Sequence, residues 1–397
     1  MTKIVDTSMP IGNLICLKST DGVPLFTRNF NNSQELPFQI IGTLNSIFTI
    51  GDKYGIRIDS LDSTKFKIIW KMYHSNLTLI LIEPIEPFDE GLYLRKLDML
   101  FEAMVMMYGL EDLKNIENIE KFKKEIKIVF PVIDLILNSC SNNDLFGGYL
   151  TNSIELVLDF YESQDITEYQ TTLEKSCEKM ETAYACVFIN GRIVAASSFW
   201  WELTPVESTL ISLLCMTFNN TTCSDTPVNL TSKNPTEPLR LLSFNLISNV
   251  ILCFIFSEKP HVHKAKEIVE SLWHPMFPSL VNLKLSLPRN LGKNTSVDQN
   301  MIAFLLINKK TGICASSLCP NEKTISEIPL DLKQNRYKLL KYCYLNLSTM
   351  FFREKGDSSC KFSEAYSLIL DHKCYAFNDL YFQFYALYNK SIPTYAL

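Results

Sequence analysis

The chain reads as an α+β protein that uses one small module three times: an antiparallel five-stranded sheet flanked by helices. Two observations predict this. A series of hairpin, amphipathic helix and three further strands begins near residue 14 and starts again at Tyr184 and Met301. Each start carries the same punctuation, a short apolar run, a turn signal and a second short run; the signals are Asp21-Gly22, Asn190-Gly191 and Lys309-Lys310-Thr311-Gly312. A length of 397 residues suits several domains, and 25 Phe with 17 Tyr can fill a core in each.

In the first module, spanning residues 10–140, the runs 14–19 and 23–28 make the hairpin around a two-residue Asp21-Gly22 turn. Residues 36–50 place Phe38, Ile41, Leu44, Asn45 and Phe48 at helical spacing; Pro37 suits the first turn, where a missing N–H costs nothing, and Gly51 ends the helix. Strands follow at 55–60, 65–73 and 77–83. The last alternates Leu77, Leu79 and Leu81 against Thr78, Ile80 and Ile82, which predicts a strand buried on both faces. Helices are expected over 91–108, closed by Gly109, and over 116–130, interrupted by Pro131.

Residues 141–180 read as a linker with an acidic helix, in which Gly147-Gly148 is a flexible joint. The second module, 181–287, opens with a type I′ hairpin at Asn190-Gly191 and a capping box at Thr204-Pro205-Val206-Glu207. Its strands are expected at 228–231, 239–247 and 250–256, and its closing helix at 261–273. Residues 288–300 lack periodicity and read as a second linker. The third module, 301–397, has a hairpin, a helix over 332–352 and strands at 365–370, 374–377 and 381–388. With no closing helices after them, it reads as truncated at its C-terminus, or completed by a partner.

Composition excludes several function classes. A net charge of −5 leaves no basic footprint for nucleic acid. The 12 cysteines form no Cys-x-x-Cys, and most sit in apolar runs as small hydrophobes. His261, His263 and His274 lack a third ligand in register, so a solvated helix start is preferred to zinc. No phosphate-binding glycine loop and no Ser–His or Cys–His pairing occurs, so catalytic, metal and cofactor residues are expected to be none. Asp6 and Pro10 interrupt any signal-peptide core, and no apolar run reaches the roughly 20 residues a membrane span needs, which predicts a cytoplasmic protein. The methionines Met99, Met104, Met106 and Met107 read as core, with a partner surface as the alternative. Of Trp200-Trp201, one is expected to staple a helix and the other to anchor a partner. Lys121, Lys123, Lys124 and Lys127 offer weak contact with anionic membrane, opposed by Glu120 and Glu125.

The element order is that of longin domains, and profilin-like and sensor folds share parts of it. Residue runs narrow the choice. Gly22-Val23-Pro24-Leu25-Phe26, Leu36-Pro37-Phe38, Ile41-Gly42-Thr43-Leu44-Asn45 and Ile69-Trp70-Lys71 resemble the Fuzzy family of planar cell polarity effectors. So do Leu100-Phe101-Glu102-Ala103-Met104, Gly109-Leu110-Glu111-Asp112-Leu113, Asn115-Ile116, Gly191-Arg192-Ile193-Val194-Ala195-Ala196, Trp200-Trp201 and Thr204-Pro205-Val206-Glu207. The resemblance is strong over residues 14–280 and weak beyond. It implies three tandem longin-like modules and a place in the CPLANE assembly of ciliogenesis and planar cell polarity. Implied partners are an Inturned-like subunit, a Fritz-like propeller protein and a Rab-type small GTPase. The cytoskeleton and ciliary base are the implied locations, and the paired three-longin Rab activators of endosomes and lysosome-related organelles have a similar architecture.

In related longin pairs the first helix and a sheet edge of each chain pack together. That implies a partner surface here on Pro37, Gln39, Ile40, Thr43 and Ser46, with Ile56 and Ile58 on the edge strand 56–61. Asp21 and Gly22 are expected near a bound GTPase, and Trp200 and Trp201 complete the candidate set. The leading expectation is one subunit of a heterodimeric guanine-nucleotide exchange factor or scaffold. An adaptor or effector without exchange activity is the alternative. A small-ligand sensor or enzyme is a third class, disfavoured because no polar residues converge.

Overall fold

The computed structural model describes residues 12–56, 58–85, 90–138, 145–158, 165–218, 221–233, 238–257, 260–286, 289–291, 295–321, 330–352 and 363–392. The chain divides into two compact units, Met1–Asn138 and Ser139–Leu397.

The first unit contains β1 (Asn13–Lys18), β2 (Pro24–Asn29), α1 (Phe38–Lys53), β3 (Ser60–Asp62), β4 (Phe66–Tyr73) and β5 (Leu77–Pro84), then α2 (Glu90–Tyr108), α3 (Leu110–Lys114), α4 (Ile119–Glu125) and α5 (Phe130–Leu137). Its sheet runs β2-β1-β5-β4-β3 and every pairing is antiparallel. β5 is central, and its alternating Leu and Ile side chains are buried on both faces, as their pattern predicts. α1 fills one face with Ile41 and Leu44 against Ile15, Leu17, Ile68, Trp70, Ile80 and Ile82. α2 fills the other: Met99, Met104, Met106 and Met107 are all buried, and Phe101 stacks on Tyr73 at 4.1 Å. These methionines are therefore core. Arg28 on β2 pairs with Asp134 of α5 and lies over the Phe130 ring.

Local chemistry moves three expected boundaries. The hairpin loop is four residues, closed by Lys18 N–H to Val23 C=O at 3.0 Å; only Gly22 takes positive φ, so Asp21-Gly22 is no two-residue turn. α1 passes through Gly51 to Lys53. It ends when Gly55 takes φ +69° and the Ile56 N–H returns to the Gly51 carbonyl at 2.8 Å, the six-to-one bond of a glycine-terminated helix. The third strand pairs with β4 over Ser60–Asp62, downstream of this reversal.

The second unit contains β6 (Ile154–Glu155), α6 (Asp165–Met180), β7 (Tyr184–Ile189), β8 (Arg192–Ala196), α7 (Pro205–Thr217), β9 (Cys223–Val228), β10 (Leu239–Ile247), β11 (Val250–Phe256), α8 (Val262–Trp273) and α9 (Phe277–Ser286). It continues with β12 (Met301–Asn308), β13 (Ile313–Ser317), α10 (Leu330–Phe352), β14 (Ser363–Ile369), β15 (His372–Asn378) and β16 (Phe382–Asn389). The sheets run β8-β7-β11-β10-β9 and β6-β13-β12-β16-β15-β14. Apart from β6, all three sheets share one order: second, first, fifth, fourth, third strand. Asn190 and Gly191 both have positive φ, and Thr204 and Glu207 exchange both capping-box bonds, at 3.1 and 2.9 Å. β9 lies upstream of its expected place at 228–231.

The segment expected as a linker is built into the core. β6 pairs in parallel with β13, and Leu156 and Val157 continue onto β8, where Val157 N–H meets the Ile193 carbonyl at 2.9 Å. One short strand thereby joins the second and third sheets. Glu155, 1% exposed, accepts from Arg192 Nε at 2.9 Å, Ser316 Oγ at 2.6 Å and Phe146 N–H at 2.7 Å. Asn290, from the other expected linker, is fully buried; its amide donates to the Ser316 and Leu156 carbonyls and accepts from Leu158 N–H. Gly148 pairs with Ser153 and is buried, so Gly147-Gly148 is no free joint.

Candidate partner interface

α1 has two apolar sides, and only one is used within the first unit. Ile41 and Leu44 enter the core, joined by the half-buried Phe48. Phe38 (71% exposed), Ile40 and Ile50 point to solvent. Tyr54, Ile56 (61% exposed) and Leu61, on the chain between α1 and the β3 edge, extend this apolar surface. No ionisable residue occurs from Phe38 through Gly51, an unusual stretch for an exposed helix face.

The polar residues of this face are turned inward on their own helix. Thr43 Oγ1 donates to the Gln39 carbonyl at 2.9 Å, Ser46 Oγ to Gly42 at 2.8 Å and Thr49 Oγ1 to Asn45 at 2.9 Å. Their hydroxyls are already satisfied, which lowers the desolvation cost of covering them. A Cβ on Gly42 would meet nothing within 4 Å, so the helix backbone itself is approachable. Beside this face β3 ends the sheet, with no further strand among the described residues. Its outer backbone groups are the kind that added strands or packed partners cover.

Most candidate residues converge here. Pro37, Gln39, Ile40, Thr43, Ser46 and Ile56 are exposed on or next to α1. Gly22 is adjacent too: a Cβ built on it would lie 2.1 Å from Asn45 Nδ2, so the hairpin tip rests on the helix and needs a glycine. Asp21 is exposed at that tip, its carboxylate accepting from Val23 N–H at 3.2 Å.

Three expectations are corrected. Ile58 turns inward onto the α1-side core, where it sits against Gly51, so it cannot anchor a partner. Phe38, expected at helical spacing with Ile41 and Leu44, does not join them in the core; it is the first residue of the helix and is exposed. Trp200 is completely buried, edge-on to Phe188 at 5.8 Å; Trp201 is 42% exposed and alone of the pair can meet a partner. Sequence reasoning missed Ile50 and Tyr54, and held Leu61 only as the end of the expected edge strand. The available signal was the off-stripe pair Ile40 and Ile50, which no single core-facing stripe accommodates.

Other candidate chemistry is dispersed. His263 is exposed and faces Glu267, and Lys121 and Lys123 pair with Glu125 and Glu120. Cys16, Cys186 and Cys253 are buried, and burial pushes each thiol well above its ordinary value. Among the described residues, no helix is long and apolar enough to cross a membrane, and no three His, Cys, Asp or Glu side chains group as metal ligands.

An antiparallel 2-1-5-4-3 sheet between one helix and a following helical layer defines a longin-domain protein. Comparison with known families agrees: residues 12–136 match the first longin domain of FUZ, MON1 and HPS1, and residues 180–274 match the second longin domain of the same set. The chain is 30% identical to the mouse protein fuzzy homolog (Mus musculus), covering 91% of this chain and 86% of that one. It is 29% identical to the human protein fuzzy homolog (Homo sapiens; 91% and 85%) and 26% identical to that of Xenopus tropicalis (97% and 94%). The chain belongs to the Fuzzy family.

Proposed function

We propose that this chain is one subunit of a longin heterodimer that acts on a Rab-type small GTPase as a nucleotide-exchange factor or scaffold in ciliogenesis and planar cell polarity. The observation that carries the reading is the uncharged, apolar outer side of α1 beside the open β3 edge. A second longin domain presenting the same two elements, from an Inturned-like subunit, would bury both at once, and a Fritz-like propeller protein would join the pair. Exchange breaks no covalent bond. It requires a surface that binds the nucleotide-free GTPase better than the loaded one, and the shift obtained equals that difference in affinity. The Gly22 tip resting on α1 would put Asp21 at the edge of such a composite surface.

The test is release of labelled GDP from candidate Rab-type GTPases with this chain alone, the Inturned-like subunit alone, and both. Release accelerated only by the pair is expected. Binding of the loaded GTPase without acceleration would instead favour an adaptor. Arginine at Gln39, Thr43 and Ser46 together should abolish co-purification of the pair while leaving the circular dichroism of the chain unchanged; undiminished co-purification would remove α1 from the interface.

A further inference from the structure

The outer side of α1 has a symmetry that pairing with a different subunit does not require. Glu35, just ahead of the first turn, and Phe38, Gly42, Ser46, Ile50 and Lys53 recur at intervals of three and four residues. That spacing aligns them along one side of the helix, away from the core-facing Ile41, Leu44 and Phe48. All six are exposed. They fall into three pairs equidistant from residue 44: Gly42 with Ser46, Phe38 with Ile50, and Glu35 with Lys53. Each pair matches in kind: small with small, bulky apolar with bulky apolar, acid with base.

A two-fold axis requires this pattern. In an isologous interface, residue i meets residue j of the second copy and j meets i. An axis passing the helix at residue 44 sets two α1 helices antiparallel, and every member of the series then meets its match. At the crossing, Gly42 has no side chain, and a Cβ there would meet nothing within 4 Å in its own chain. Ser46 Oγ, which would face it from the second copy, already donates to the Gly42 carbonyl of its own helix at 2.8 Å and needs no partner. The two backbones can therefore approach closely. Outside the crossing, Phe38 of each copy packs on Ile50 of the other, and at both rims Glu35 faces Lys53. Helical spacing places position 52 about 100° round from Lys53 and so off this line.

Glu35 and Lys53 also suit the two ends of the helix dipole. That accounts for two charges, but not for an exposed phenylalanine and isoleucine set symmetrically between them. Gly22 rests on Asn45 at the flank of the helix, so the axis carries the two Asp21 carboxylates to opposite flanks.

We propose that two copies of this chain pair through α1 in an antiparallel, two-fold interface centred on residue 44. The pairing stands without the heterodimer reading. Where both hold, a second copy and the Inturned-like subunit compete for one face, and free chain is kept paired until that subunit displaces a copy.

Sedimentation equilibrium of the full chain over a concentration series reads the association, and a monomer–dimer equilibrium is expected. Gly42→Gln puts bulk at the crossing and should weaken the dimer about ten-fold, the effect of overpacking a close contact. The thermal midpoint should not fall, because the added side chain starts in open space in its own chain. Glu35→Lys and Lys53→Glu should each weaken the dimer about five-fold, since each turns two rim attractions into repulsions. Mixing those two variants should restore association to near the wild-type level, because both rim contacts of the mixed pair are again acid with base. The proposal is overturned by a chain that stays monomeric at every concentration, by a dimer indifferent to Gly42→Gln, or by mixed variants that associate no better than either alone. Co-purification with the Inturned-like subunit is scored separately: its absence would remove the heterodimer and leave the homodimer standing.

Discussion

Gly51 sits where α1 must admit the chain that reverses over it. A Cβ there would lie 2.6 Å from the Ile56 carbonyl oxygen and 3.0 Å from the Ile58 side chain, and a backbone atom cannot step aside cheaply. Gly51→Ala should therefore destabilise the first unit by about 1–3 kcal/mol, the usual cost of overpacking. It should also displace Ile56 and weaken partner binding; equal urea midpoints for variant and wild type would contradict this. The thiols give a pH-dependent test. Burial, helped by Glu174, pushes Cys177 up from an ordinary 9.0 to about 11. Because the folded form resists ionisation more than the unfolded form, its contribution to stability is complete below pH 9 and is lost as pH rises towards 11. Cys16, Cys186 and Cys253 shift in the same direction. The urea midpoint should fall across that window, and replacing Cys177 with Ser should flatten part of the fall.

Among elements, β6 carries a buried ion pair, Glu155 with Arg192. Arg192→Met would leave the Glu155 carboxylate buried without its cation, and uncompensated charges of this kind typically cost about 3–5 kcal/mol. The second unit should then unfold at lower urea while the first keeps its midpoint, resolved by fluorescence of Trp200 and Trp273 against that of Trp70. Glu155 and Arg192 were not legible as a pair, because they lie 37 residues apart and β6 is too short to carry an alternating pattern. The hairpins, the capping box and the buried alternation of β5 were legible because each is specified within a few residues. The β3 edge begins later than its sequence suggests, because a glycine that reverses the chain, as Gly55 does, carries the same local signal as one that opens a strand. The outer side of α1 was partly legible: its small polar residues stood out, whereas Phe38 shares the helical spacing of Ile41 and Leu44 and is exposed.

At the scale of the whole molecule, the first unit has its own sheet, helices on both faces and a closed core, so residues 1–138 should fold alone. That fragment should give dispersed amide resonances and should compete with the full chain for the Inturned-like subunit. A folded fragment that fails to compete would move the interface into the second unit.

The strand that joins the second and third sheets has one further consequence. β8 ends the second sheet, β13 is next to last in the third, and the segment Ile154–Val157 that begins as β6 borders both. Any lesion that dislodges it, such as a cleavage or an insertion before Ile154, uncovers two ready templates for foreign strands in one event. The second and third sheets are thus jointly vulnerable. Inherited changes around Phe146 to Val157 are then expected to act through precipitation and loss of the protein from the cell, leaving the chemistry of the α1 face untouched.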